Sequence, residues 1–440
     1  MKKILALILT VAMVLAMGAI LAGCGSTDDT ASSDSGDSAA SDIKIGVILV
    51  GDETEGYTLA HINGIKDAAA KLGIADDQII WKYKIEETED CYTAAKQLVA
   101  QGCSLVVSNS YGHQDYMAQA AEEYANVNFV ALTGDYAAVS GLNNYFNAFT
   151  DVYESRYVSG VVAGMKIAEL VNDGKLSKEN YDAAGNVKVG YVGAYSYAEV
   201  ISGYTAFYLG IKSVYDKVSM EVQFTGSWFD IEGEAAAAET LMADGCVIIG
   251  QHADSTGAPT AVQAALDSGK VAYSVGYNVS MLDVAKTAAL TSATNCWEVY
   301  YEELFKAAMN GTAVVQDWSE GYNDEAVAIT DLGESCAEGT ADKVAETIAA
   351  IKDGSLKVFD TSKFTVSGDN VTDTMTVDAD GHVTSYKIDF SKIDFTTGDV
   401  IYQGETKDVI VDGEFKESVD RAAPYFDIQI DGIKWLNSAF

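Results

Sequence analysis

The sequence predicts an α/β protein of two doubly wound parallel-sheet lobes joined by a hinge, with a small β-rich element towards the C-terminus. Three observations predict it. Short apolar runs alternate with segments of helical period from residue 43 onward, and the alternation restarts after a polar stretch at 172–186. Such repeated βαβ units imply parallel sheets covered by helices. Between 360 and 415 the pattern changes to period two, rich in Thr, Val and Asp, as antiparallel strands require.

The elements follow in order. The run IKIGVILV at 43–50 is apolar throughout, as expected for a strand buried on both faces. Leu59, Ile62, Ile65 and Ala69 recur at helical spacing in 56–72, and Gly73 stops that helix. Strands at 79–85, 104–108, 128–132 and 144–149 alternate with helices at 89–101, closed by Gly102, and 113–124. A long helix at 153–171 leaves this lobe. The second lobe then takes strands at 187–192, 222–225, 246–250 and 271–275 and helices at 197–215, 232–243 and 258–268. A strand at 289–293 and a helix at 297–309 read as a return to the first lobe. Asp378-Ala379-Asp380-Gly381 reads as a hairpin turn in the β-rich stretch. The expected division is lobe 1 at 43–152 with a return segment at about 285–345. Lobe 2 takes 153–284 with about 346–440.

Five strand-to-helix loops carry aromatics, amides or acids at the carboxyl ends of strands, where open parallel sheets bind ligands. They hold Tyr57 after the first strand, Asn109 and Tyr111 after the third, and Trp228 and Phe229 after the 222–225 strand. Asp254 follows the 246–250 strand, and Gly276 and Asn278 follow the 271–275 strand. A single aromatic at a strand end most often caps the core. Five such loops suit a flat solute, with rings on its faces and polar groups at its edge; a sugar would also accept an aromatic wall.

The N-terminus begins with Lys2 and Lys3, continues with an uncharged apolar run at 4–22, and ends Leu21-Ala22-Gly23-Cys24. That ending resembles the bacterial lipobox of exported lipoproteins. It marks 1–23 as a signal peptide and Cys24 as the lipidated residue. Residues 24–42, small, polar and acidic, read as a flexible linker. The protein is therefore expected outside the cytoplasm, held to the cell membrane by lipid alone. Its net charge is −37, from 28 basic and 65 acidic residues. This disfavours nucleic acid and anionic headgroups as partners.

Catalytic signatures are missing from the sequence. The four histidines, His61, His113, His252 and His382, sit in no hydrolase or metalloprotease motif, and no Walker A or GxGxxG occurs. The segment 376–387 fails as a calcium loop, with Thr376 first and Lys387 twelfth. Beyond Cys24 the five cysteines are scattered, without zinc spacing, and a Cys91–Cys103 disulfide stays open. No enzyme, cofactor or metal is expected.

Six segments carry a family resemblance: GDETEGYTLAHINGIKDA (51–68), NAFTDVYESRYVSGVVAGMK (147–166), GYVGAYSYAEVISGYTAFYLGI (190–211), GSWFDIEGEAAAAETLMADGCVIIGQHADSTG (226–257), VGYNVSM (275–281) and TSATNCWEVYYEELFKAAMNG (291–311). In this order they resemble the basic membrane protein family of lipoproteins, relatives of purine nucleoside receptors. The resemblance implies a periplasmic-binding-protein-like fold, a monomer, and the permease and ATPase of an ABC importer as partners. It also implies a purine nucleoside or base as ligand. By the same resemblance Tyr57 takes one face of the base, Trp228 and Phe229 the other, and Tyr111 the third loop's aromatic place. Asp254, Asn278 and Trp297 would line the cleft from later loops. Ser280 stands where the family often has an acid that would grip ribose hydroxyls, so a free base is implied beside a nucleoside. A sugar-binding protein and a surface sensor uncoupled from transport are the alternatives.

Overall fold

The computed structural model describes residues 43–393 and 398–439. The expected signal peptide, Cys24 and the linker lie outside the described residues.

The first lobe is a six-stranded sheet in the order β11-β5-β4-β3-β1-β2. Its strands are β1 (Ile45–Ile48), β2 (Ile79–Lys82), β3 (Leu105–Ser108), β4 (Asn128–Ala131), β5 (Tyr145–Thr150) and, from later in the chain, β11 (Asp317–Glu320). All pair in parallel. Helices α1 (Gly56–Leu72), α2 (Glu89–Ala100) and α3 (Gln114–Glu123) cover it. Strand β1 explains the unbroken apolar run: Ile45 and Val47 enter one core, with α1, while Ile48 enters the other, with α2 and α3. Gly73 ends α1 with φ 71°, its backbone N–H returning to the last turn, a conformation only glycine adopts freely.

The second lobe is a seven-stranded sheet in the order β12-β10-β9-β8-β6-β7-β20. It uses β6 (Val187–Gly193), β7 (Val218–Phe224), β8 (Ile248–His252), β9 (Tyr273–Tyr277), β10 (Ala289–Asn295), β12 (Val327–Ile329) and β20 (Ile433–Trp435). Only β12 runs antiparallel. Helices α4 (Val152–Asn172) and α5 (Ala198–Val214) pack on one face, and α6 (Ile231–Ala243) and α7 (Gly257–Asp267) on the other. Helices α4 and α5 cross in backbone contact: a Cβ on Gly160 would strike Phe207 O, and one on Gly210 would strike Tyr157 O.

Two expectations need correction. Strand β10 belongs to the second sheet, pairing with β9, so the return to the first lobe starts at α8 (Trp297–Asn310) and not near 285. Strand β7 starts at Val218, four residues before the expected 222. It alternates buried Val218, Met220, Val222 and Phe224 with part-exposed Ser219, Glu221 and Gln223, and that polar face broke the apolar run.

Three connections join the lobes: Thr150 to Val152, Asn295 to Trp297, and Glu320 to Val327. Lateral bonds tie them together. Asp151 N donates to Glu320 O at 2.8 Å, Cys296 N donates to Ala326 O at 2.8 Å, and Tyr322 N donates to Glu154 Oε2 at 2.7 Å.

Helix α9 (Thr340–Lys352) packs on α4. The chain then forms β13 (Met375–Val377), β14 (Val383–Asp389), β15 (Lys392–Ile393), β16 (Val400–Tyr402), β17 (Thr406–Asp408), β18 (Ile410–Val411) and β19 (Glu414–Phe415), all in antiparallel pairs. The turn after β13 is the expected one: Asp378 Oδ1 accepts from the backbone of Asp380 and His382, both at 2.9 Å, and Gly381 has φ 90°. Phe359, Phe364, Phe415 and Phe426 anchor this element in the second lobe's core. Cys91 and Cys103 are both buried as free thiols.

Candidate functional site

A cavity of about 500 Å³, its open mouth included, lies between the lobes. Its wall takes Val50, Glu55, Tyr57, Asn109, Ser110, Tyr111 and Thr133 from the first lobe, and Glu199, Trp228 and Asp254 from the second. These residues sit just after β1, β3, β4, β6, β7 and β8, so the carboxyl ends of both sheets face the same space.

On the first-lobe side, Asn109 is the keystone. Its Oδ1 accepts from Val50 N at 2.9 Å, and its Nδ2 donates to Thr58 Oγ1 at 3.3 Å. Tyr57 OH donates to Asn109 O at 2.6 Å. The ring of Tyr57 is thereby held at the cavity wall, edge-on to His61 at 4.5 Å. Thr58 Oγ1 donates to Glu55 Oε2, which aims that carboxylate into the loop ahead of α1.

On the second-lobe side, Asp254 N donates to Trp228 O at 2.8 Å and couples the two loops. Asp254 Oδ1 accepts from Asn278 Nδ2 at 2.9 Å; no donor among the described residues reaches Oδ2. Trp228 packs edge-on against Tyr195 at 5.2 Å. Glu199 Oε1 stands 3.3 Å from His252 Nε2. Burial holds the His252 imidazole well below its ordinary pKa, and the Arg156 charge adds to this. The neutral ring then donates from Nε2 and leaves Nδ1 unpartnered. Arg156 lies behind, its guanidinium 3.7 Å over Tyr277 and Nη1 donating to Gln251 O at 2.6 Å.

The cavity is ringed by carboxyls. Burial raises Glu199 to about 7, against a smaller opposing pull from Arg156. Burial likewise raises Glu55, helped by the charges of Asp52 and Glu87, and burial raises Asp254, helped by the charges of Glu55 and Glu234. Such a wall favours a solute that offers hydrogen-bond donors.

The lobes are shut on one another. Gly56 N, at the start of α1, donates to Asp254 O across the cleft at 3.1 Å. A Cβ on Gly56 would lie 3.3 Å from both Asp254 O and Val279 Cγ2. Gly56→Ala is therefore expected to hold the lobes slightly apart and weaken solute binding by about 1 kcal/mol, the low end of overpacking costs. Calorimetry would read it; unchanged affinity would mean the lobes give way without loss.

The structure thus brings Tyr57, Asn109, Tyr111, Trp228 and Asp254 to one wall and leaves the other four site expectations off it. Asn278 is buried with φ 62° and supports Asp254. Phe229 is half-buried outside the cavity, its carbonyl accepting from Ser227 Oγ. Gly276 lies inside the sheet, where a Cβ would meet Ser292 Oγ at 2.5 Å. Trp297 is a correction: it is 1% exposed and stacks on His61 at 4.3 Å beneath the cavity floor. Glu55 and Glu199 were not expected. Glu55 sits on the loop after β1 and Glu199 in the first turn of α5, both just past strand ends, and neither carries a local signal that sets it apart from the chain's other acids.

Two parallel-sheet lobes, bridged three times and closed over a cavity at their strand ends, define a solute-binding protein. Residues 43–358 match the Bmp family, described as ABC transporter substrate-binding protein PnrA-like, and the chain belongs to this family. A purine-binding protein of Brucella abortus is 30% identical over 318 residues, spanning 72% of this chain and 83% of that one. A putative ABC transporter glucose-binding protein of Haloferax volcanii is 28% identical, spanning 66% of this chain and 68% of that one. Among solved structures, an ABC transporter solute-binding protein of Aeropyrum pernix K1 shares the fold at TM-score 0.59 and 15% identity. The match covers 74% of this chain and 94% of that one.

Proposed function

We propose that this substrate-binding protein is an exported lipoprotein that captures a purine base or nucleoside and passes it to the permease and ATPase of an ABC importer. The observation that carries the reading is the cavity wall: Tyr57 and Tyr111 from one lobe and Trp228 from the other, with Glu55, Glu199 and Asp254 between them. Rings from both lobes can sandwich a planar heterocycle, and the carboxylates can accept from its N–H groups or from ribose hydroxyls. The purine-binding name of the Brucella relative supports the same ligand class. Titration calorimetry with adenine, xanthine, adenosine, guanosine and inosine tests it. Silence from all five, with folded protein, sinks the purine reading.

A sugar is the second reading, favoured by the glucose-binding name of the Haloferax relative. Carboxylates beside a single ring would serve its hydroxyls equally well. Glucose belongs in the same titration series.

The raised carboxyls predict a pH dependence. With a folded-state pKa of about 7, Glu199 is largely protonated in mildly acidic solution. A solute that donates to the carboxylate lowers that pKa, so binding releases a proton. Affinity is therefore expected to rise between about pH 5 and 8 and then level off. Calorimetry in buffers of different ionisation enthalpy would read the proton release; affinity falling over this range would contradict it. Ligand-free stability runs the other way. The raised pKa makes Glu199's contribution complete below its unfolded pKa, and that contribution is lost as pH rises through about 7.

Anchoring rests on Cys24. Cys24→Ala is expected to move the protein from the membrane fraction to the soluble one and to abolish labelling by radioactive palmitate. Retention in the membrane would point to an uncleaved helix at 4–22 instead.

A further inference from the structure

Residues 359–439 lie beyond the stretch matched by the family. By packing they belong to the second lobe: the Phe359 and Phe426 rings stack at 4.3 Å, and Phe415 meets Phe426 at 4.7 Å, inside that lobe's core. From this anchor the segment reaches back to the first lobe. Lys392 Nζ stands 2.6 Å from Asp135 Oδ1, the two side chains only 6% and 15% exposed. Ala422 N donates to Asp317 Oδ2 at 2.9 Å. Ala422 and Ala423 close over Phe149 in a small apolar cluster.

The location of the ion pair matters most. Asp135 lies two residues after Thr133, which lines the solute cavity. The Lys392 ammonium is 5.6 Å from the ring centroid of Tyr111, a second wall residue. Lys392 and Asp135 themselves line a neighbouring pocket with Phe390 and Arg421. None of these contacts passes through the three hinge connections. The segment's apolar anchor lies in the second lobe's core, so a hinge rotation that carries it with that lobe parts Lys392 from Asp135.

We propose that the C-terminal element is an inter-lobe clasp. In it, Lys392 acts as a positioning residue that ties the second lobe to Asp135 and seats Tyr111 against the solute. The contribution to slow release rests on Tyr111 facing the solute, as read above; the tie between the lobes rests on the inter-lobe geometry alone. Removing the lysine strands a poorly hydrated carboxylate in the closed form only, because opening returns Asp135 to water. The closed form then loses ground to the open one.

The test uses the mature full-length chain with spin labels at Lys66→Cys and Glu239→Cys, both exposed, in a Cys296→Ser, Cys336→Ser background. Pulsed electron resonance reads the distance between the lobes without ligand, and stopped-flow reads association and release of adenine. Lys392→Met and Asp135→Asn are each expected to lengthen the ligand-free distance and to speed release at least about fivefold, because truncating one partner of a buried pair acts on the off-rate. Association should stay within about twofold, and Lys392→Arg should restore both readouts. A merely structural lysine would shift thermal stability without separating the two rates. Unchanged ligand-free distances in both variants overturn the clasp, even if release quickens. If the parent protein ignores adenine, the purine reading fails, and the ligand-free distances still decide the clasp.

Discussion

Trp297→Ala is expected to lower the unfolding free energy by about 3–5 kcal/mol, the usual cost of emptying a large aromatic site in a core. The indole is 1% exposed and stacks on His61 at 4.3 Å. It fills the seam where α1 and α8 cross: a Cβ on Gly64 of α1 would come within 2.9 Å of Trp297 Cβ and 2.8 Å of Glu298 N. Little room exists for the helices to collapse into the hole. The indole N–H also lacks a partner, so Trp297→Phe keeps most of the packing while removing an unsatisfied buried donor. That variant should cost less than about 1.5 kcal/mol. Denaturant unfolding of the ligand-free protein reads both changes. If Trp297→Ala instead left stability intact and abolished binding, the residue would be a ligand contact and the buried placement wrong.

Trp228→Ala is expected to do the opposite. Loss of one stacking surface for a flat heterocycle weakens binding by about 1–3 kcal/mol, or roughly 5- to 150-fold in Kd. Trp228 is half-buried and rests on Tyr195 and Tyr197 at the cavity wall. Its backbone carbonyl, which holds Asp254 N, survives the substitution. The melting temperature of the ligand-free protein should therefore change little. A drop comparable to that of Trp297→Ala, with unchanged affinity, would assign Trp228 to the core.

These two tryptophans mark what the sequence could and could not tell. Both follow strand-end loops, and nothing local separates them. Their difference arises from a partner more than 200 residues away in the chain: α1, pressed against α8 at Gly64, encloses Trp297. By contrast α1 itself was legible to the residue, because Gly73 ends it by local backbone preference. Likewise the period-two stretch and its Asp378–Gly381 turn announced an antiparallel element. Strand β10 was legible as a strand, but its sheet was not, because Ala289–Asn295 carries no signal for which lobe's edge it will join. Of the cavity wall, the rings and Asp254 were foreseen. The carboxyls of Glu55 and Glu199 were lost among 65 acids, and only their placement between the lobes sets them apart.

The seventh strand of the second sheet has a consequence for how the chain acquires its shape. Ile433–Trp435 zips alongside β7, with Ile433 opposite Met220. Asn437 then accepts from Phe224 N and donates to Phe224 O, each at 2.8 Å. A polypeptide emerging N-terminus first leaves that margin of β7 bare until residues 433–437 arrive. Pairings so distant in sequence form slowly, and an unpaired strand margin invites association with other chains. Completion of the second sheet thus waits for a segment more than 200 residues beyond β7, and deleting 433–439 should harm folding yield out of proportion to the few atoms removed.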